Sequence, residues 1–287
     1  MKTMARLGLG TVQFGLPYGI SNASGQVARA EAAGILDEAA KAGIGLLDTA
    51  AAYGTAEEVL ADILAADASF RIVTKTLRLA EGLESVIARA RLSASRLGRA
   101  CDTLLVHSAP DLAGRDGERF WRRLQDLKAD GLFARIGISA YVADDPLGLA
   151  ERFRPDVMQV PFSLLDQRLL ADGTLAGLDR LGVEVHVRSV FLQGLVFMEP
   201  AELPPKLAHA AGRLAQVRAA IDHASSSPLE ASLAFALSQP GVDIVLVGVT
   251  SRAELAGIVA AAGKAPAELD WRQLAIDDPV VLTPSLW

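Results

Sequence analysis

Asp48, Tyr53, Lys75 and His107 are the residues of this chain whose types and positions could do proton chemistry together. Each lies at or just past the end of a short apolar run: Ile44–Leu47 before Asp48 and Tyr53, Ile72–Thr74 before Lys75, Leu104–Val106 before His107. If those runs are parallel strands of one barrel, the four side chains meet at one rim. A tyrosine ordinarily titrates at about pH 10, too high for rapid proton exchange at neutral pH. An ammonium beside it favours the phenolate, and a carboxylate supplies the counter-charge that a lysine needs at such a rim. Lys75 and Asp48 are the candidates for those two parts, and His107 could orient a substrate oxygen. Together they can polarise a carbonyl, deliver a proton to its oxygen and leave the carbon open to hydride; run backwards, they oxidise an alcohol. Taken singly, Asp48 is an ordinary strand-end cap, Lys75 an ion pair and His107 a core histidine. Their joint spacing carries the catalytic reading.

The elements that must position these residues are short and repetitive. Candidate strands run over Leu7–Gly10, Ile44–Leu47, Ile72–Thr74, Leu104–Val106, Arg135–Ile138, Val157–Val160, Val183–Val187 and Ile244–Val247. All are too continuously apolar for a sheet with one face in water. Ala- and Leu-rich helical segments separate them. Ala30–Lys41 stops at Gly43, a left-handed cap candidate. Thr55 and Glu58 read as a capping box opening the next helix. Leu83–Leu97 and Arg119–Asp130 continue the alternation, and Arg89–Arg99 reads as a solvated face. Repeated βα units with right-handed crossovers close into an α/β (β/α)8 TIM barrel, which fits in about 250 residues, so residues 1–287 are expected to form one domain. A doubly wound sheet is disfavoured because no GxGxxG follows an early strand.

Composition excludes other classes. The net charge of −6 and 51% hydrophobic content give no basic surface for nucleic acid or an anionic membrane. No uncharged run is long enough to span a bilayer. The single cysteine, Cys101, permits no internal disulfide, and the first residues carry no secretory signal, so a cytoplasmic location is expected. Cys101 has no electropositive neighbour in sequence and reads as an inert thiol. His209 and His223 have no ligand-spaced partners, so no metal site is expected.

The strings Leu46-Leu47-Asp48-Thr49-Ala50, Tyr53-Gly54, Val73-Thr74-Lys75-Thr76 and Leu104-Leu105-Val106-His107 resemble the aldo-keto reductase family, and the resemblance runs from Leu7 to about Gly263. It implies Tyr53 as general acid/base and a nicotinamide nucleotide lying across the barrel mouth. By the same resemblance, Gly10 and Thr11 form a cofactor-facing turn, and Ser139 and Gln159 hold the carboxamide. Ser189, Phe191 and Gln193 belong to a loop over the pyrophosphate. Gly248, Thr250, Ser251 and Arg252 form a turn that holds the adenosine phosphate at a helix N-terminus. NADP is the implied cofactor, with NAD the alternative.

Six positions depart from that pattern. Ala140 stands where asparagine is common, and Arg188 where a tyrosine usually stacks under the nicotinamide. Thr250 and Ala256 replace basic residues, and Val259 and Ala260 replace polar adenine contacts. Only Arg252 offers positive charge near the phosphate. A guanidinium at 188 can stack, but its charge opposes a cationic oxidised ring. Period-two alternation places Glu184, His186 and Arg188 on one face, so a polar stack in the lumen carrying the arginine's charge is expected; a kinked strand with Glu184 in solvent is the alternative.

The expected activity is NAD(P)H-dependent reduction of an aldehyde or ketone. A sugar or alcohol dehydrogenase, and a cofactor-binding sensor with slow turnover, are the competing readings. Phe14, Tyr18, Tyr141 and Trp287 are candidates to line a pocket for a small carbonyl or sugar substrate. The Ser189–Pro205 segment and the Asp277–Trp287 tail could shape it. The oligomeric state is not legible.

Overall fold

Eight strands follow one another around a closed, all-parallel barrel: β1 (Leu7–Gly10), β2 (Leu46–Asp48), β3 (Arg71–Lys75), β4 (Cys101–Val106), β5 (Arg135–Ser139), β6 (Val157–Pro161), β7 (Glu184–Arg188) and β8 (Ile244–Gly248). This computed structural model describes residues 3–20, 22, 24–64, 69–98 and 101–287. Closure comes from β1, which pairs with β2 through Gly10 opposite Asp48 and with β8 through Gly10 opposite Gly248. No strand edge is left open, and the continuous apolar runs have the reason the sequence suggested. One face of each strand fills the lumen and the other packs under the helices. Leu46, Val73, Leu105, Val157, Ile244 and Leu246 form the inner cluster. Their neighbours Leu47, Ile72, Leu104 and Ile136 belong to the larger core between barrel and helices. Each such side chain contributes about 1.5–3 kcal/mol by leaving water.

All eight strands occur where the apolar runs lie, but most continue one residue further, and β2 begins at Leu46 and not at Ile44. β2 runs through Asp48, β3 through Lys75, β5 through Ser139, β7 through Arg188 and β8 through Gly248. Hydrophobicity ends where the strands reach the mouth, whereas the backbone ladder continues through the polar residues. β4 extends the other way, back to Cys101. Burial pushes the Cys101 thiol's pKa up, as expected of an inert core group.

Among the long helices, Arg29–Ala42 ends as expected at Gly43, whose φ of 82° lets its N–H return to the carbonyls of Ala39 and Ala40. The helix expected from Arg119 starts at Gly117 and ends at Ala129. The capping box at Thr55 does not form. Thr55 makes no side-chain cap to the helix Ala56–Ile63; its hydroxyl instead accepts from Gln26 Nε2. Glu58 turns to Arg96. A capping box does form at Ser227–Glu230, opening the helix Pro228–Ser238. Arg89 does not stand on a solvated face but pairs at 2.6 Å with Glu57, a buried carboxylate that also accepts from Thr74 and Ser93; Arg99 lies outside the described residues. Among the described residues, no helix is long and apolar enough to cross a membrane.

Candidate active site

Lys75 ends β3 with 1% of its side chain exposed, and its three N–H donors all have acceptors nearby. Nζ lies 2.6 Å from Asp48 Oδ2, 2.8 Å from the Thr49 carbonyl and 3.4 Å from the Tyr53 hydroxyl. Burial alone would depress the lysine's pKa. The charges of Asp48 and Tyr53 and their hydrogen bonds outweigh it, so the ammonium is held above its ordinary value. The other carboxylate oxygen of Asp48 accepts from Gln159 Nε2 at 2.6 Å, which ties β2 to β6 across the lumen. Tyr53 and His107 meet edge to face, with ring centroids 5.7 Å apart. Burial, then the Lys75 charge, pull the His107 pKa down to about 4, so its ring is neutral at neutral pH.

Local backbone packing sets Tyr53. It lies in the turn after β2, where its N–H bonds to the Ala50 carbonyl and its carbonyl accepts from Ala56. Gly15, the last residue of the short helix Val12–Gly15 after β1, backs directly onto this turn: a Cβ there would stand 1.9 Å from the Tyr53 carbonyl oxygen. The β1 end is locked to the same place, because the Thr11 amide and hydroxyl both donate to the Asp48 carbonyl, at 2.9 and 3.0 Å.

A cavity of about 800 Å³ opens above these groups, within the size range of small-molecule sites. Asp48, Tyr53, Lys75 and His107 line one end. Of the residues expected to hold a cofactor, Gly10, Thr11, Ser139, Gln159, Arg188, Ser189, Phe191, Gln193, Gly248 and Thr250 line it too. Ser251 and Arg252 do not. Ser251 caps the helix Arg252–Ala262 by accepting from Glu254 N, and Arg252 turns to Glu31. Glu254 and Gln13, which sequence reading did not single out, do line the cavity. Glu254 carried a signal in retrospect, three residues after a serine cap. Gln13 carried none.

The aromatic expectations divide. Tyr18 and Tyr141 line the cavity, whereas Phe14 is wholly buried in the core and Trp287 donates through Nε1 to the Val280 carbonyl away from it. Phe197, from the long segment after β7, lines it instead of the tail. His209 binds Asp278 at 2.7 Å and so fastens that tail. The expected polar stack forms only in its lower part. His186 Nε2 lies 2.9 Å from Glu184 Oε1, and Glu184 also meets Arg71 and Arg135. Arg188 makes no bond to His186; its guanidinium lies 4.3 Å over the Tyr141 ring and 3.4 Å from the Ala140 carbonyl.

Two observations test whether this cavity suits a dinucleotide. Gln13 Oε1 is buried in the wall without a hydrogen-bond partner, an acceptor awaiting a donor. In the loop over the cavity, Ser189, Leu192 and Gln193 all hold positive φ (61°, 47° and 54°), a strain that collects at ligand-binding loops. Gln193 Nε2 also donates to the Tyr18 hydroxyl at 2.9 Å, joining the loops after β1 and β7 across the opening. A long ligand with hydroxyl and amide donors fits these residues.

The aldo/keto reductase family model matches residues 6–275. An aldo-keto reductase of Mycolicibacterium smegmatis is 32% identical over 158 residues, covering 52% of this chain and 54% of the relative, so the match spans about half of that protein's length. A Pseudomonas aeruginosa structure assigned as an aldo-keto reductase is 25% identical over 90% of this chain and 89% of its own, with a TM-score of 0.65. The holo form of a Bacillus halodurans aldo-keto reductase shares the fold, with a TM-score of 0.75 at 22% identity over 94% and 90% of the two chains. With the family model matched over nearly its whole length and its eight strands closed into the same barrel, the chain belongs to the aldo/keto reductase family.

Proposed function

We propose that the chain reduces an aldehyde or ketone to an alcohol, with Tyr53 as the proton donor. Family membership implies NAD(P)H-dependent carbonyl reduction. The observation that carries the reading is the sealed Lys75 ammonium, which directs one donor to the Tyr53 hydroxyl and holds the other two on Asp48 and Thr49. A fixed positive charge there stabilises negative charge on the tyrosine oxygen as its proton leaves. Asp48 keeps the lysine charged and, through Gln159, immobile. His107, neutral and edge-on to Tyr53, orients the carbonyl oxygen without competing for the proton.

Ser139, Gln159 and Arg188 would hold the nicotinamide end of the cofactor, Ser189, Phe191 and Gln193 its pyrophosphate, and Gly10, Thr11, Gly248 and Thr250 the opposite wall. When bound, the cofactor supplies hydride to the carbonyl carbon. Arg188 has no carboxylate partner among the described residues, and its charge opposes a cationic ring in the same cavity. That favours the bound reduced cofactor over the bound oxidised one. The phenols of Tyr18 and Tyr141 beside Arg188 suit a small polar carbonyl better than a large apolar one.

Tyr53→Phe tests the assignment. Turnover of a carbonyl panel should fall by about 10²–10⁴, the size of a general-acid contribution, while binding of reduced cofactor, read by its fluorescence, persists. Turnover retained in Tyr53→Phe would remove Tyr53 from the reaction.

A further inference from the structure

The adenosine end of the cavity carries the wrong charge for a phosphate. Its lining residues are Gly248, Val249, Thr250, Glu254, Gly257 and Ile258, with no lysine or arginine among the described residues there. The donors that a phosphate would use are already taken by carboxylates. Thr250 gives its amide to Glu254 Oε2 at 2.6 Å and its hydroxyl to Glu254 Oε1 at 2.9 Å. Arg252 gives its amide to Glu31 Oε1 at 2.7 Å and its guanidinium Nε to Glu31 Oε2 at 3.2 Å. Two acids therefore fill the positive end of the helix Arg252–Ala262, which otherwise favours an external anion.

The one basic residue of this turn is also drawn aside. The Arg252 side chain lies across the helix Arg29–Ala42 at Gly34, where a Cβ would stand 2.6 Å from Arg252 Cδ. Only a glycine leaves room for this path. Lys41, on the same helix, is paired with Glu38.

We propose that this groove selects the dinucleotide without a 2′-phosphate, NADH, and that Glu254 is the residue that discriminates. The inference rests on the dinucleotide reading of the cavity. A carboxylate at this position accepts hydrogen bonds from the two hydroxyls of an unmodified ribose. The same carboxylate repels a phosphate dianion and leaves it without a donor. This reverses the preference that the family resemblance implied for Thr250, Ser251 and Arg252.

Titration of the chain with NADH and with NADPH, read by the fluorescence of the reduced nicotinamide, tests the proposal without turnover. NADH should bind about tenfold tighter or more, the effect of close like charges in a solvated groove. Glu254→Gln keeps an acceptor for Thr250 but removes the charge, and should narrow the gap mainly by strengthening NADPH. Glu31→Ala releases Arg252 and should narrow it independently, with thermal melts showing that both variants fold. NADPH binding as tightly as NADH to the unmodified chain would overturn the proposal while leaving the dinucleotide reading intact. So would an unchanged ratio in folded Glu254→Gln, which would leave Glu254 as a helix cap alone. Failure of both dinucleotides to bind would instead overturn the reading beneath it, and this proposal with it.

Discussion

Lys75 Nζ donates to Asp48 Oδ2 at 2.6 Å, with 1% and 7% of the two side chains exposed. A charge pair so enclosed is retained only because each member compensates the other. The pair is thus a structural dependency as well as a source of charge for Tyr53, and the two roles separate by experiment. Lys75→Met should abolish measurable reduction and cost about 3–5 kcal/mol of stability, because it strands a buried carboxylate. The double variant Lys75→Met/Asp48→Asn should recover much of that stability and none of the activity. Denaturant unfolding and steady-state kinetics check the two halves.

Gly15 controls the tyrosine from behind. Alanine there places a Cβ 1.9 Å from the Tyr53 carbonyl and 2.4 Å from Ala56 N, so the turn carrying Tyr53 must move. Gly15→Ala should lower kcat by about tenfold or more, since small misplacements of a catalytic group cost that much. It should leave the affinity for reduced cofactor within about twofold of the unmodified chain's, because Gly15 does not line the cavity. A kcat unchanged in a well-folded Gly15→Ala would show that the turn tolerates displacement.

His107 should titrate at about pH 4 in an NMR experiment, well below a free imidazole at about 6.5. The sign for stability follows. Between those values the unfolded chain binds a proton that the folded chain refuses, so stability falls as pH drops through this window. His107→Gln, which cannot titrate, should lose that part of the pH dependence. An ordinary titration near pH 6.5 in the folded protein would contradict the enclosed, cation-facing environment.

Glu184 closes the bottom of the barrel. Burial opposes its charge, but hydrogen bonds from His186 and Arg71 outweigh it and bring its pKa down to about 2. Its stabilising contribution is therefore present above the ordinary carboxylate range and fades as pH falls from about 4.5 towards about 2. Glu184→Gln should destabilise the protein at neutral pH, and the difference from the unmodified chain should shrink in acid. Because Arg188 is stacked on Tyr141 and not bonded to His186, His186→Leu should leave cofactor affinity unchanged. A changed affinity would indicate that the lower pair communicates with the mouth.

The chain order of eight apolar runs was enough to determine the barrel, because a strand buried on both faces must be apolar along its length. It was also enough to bring Asp48, Tyr53, Lys75 and His107 together, since residues following parallel strands share a rim. What the sequence could not determine is which side chains satisfy one another between elements remote in the chain. Thr55 prefers Gln26 to its own helix, Gln159 reaches Asp48 across 111 residues, and Glu31 captures Arg252 across 221. Periodicity encodes which face of an element is buried, but a polar side chain's partner depends on which helix packs beside it and at what height. Only the tertiary structure decided that the turn after β8 is filled by carboxylates.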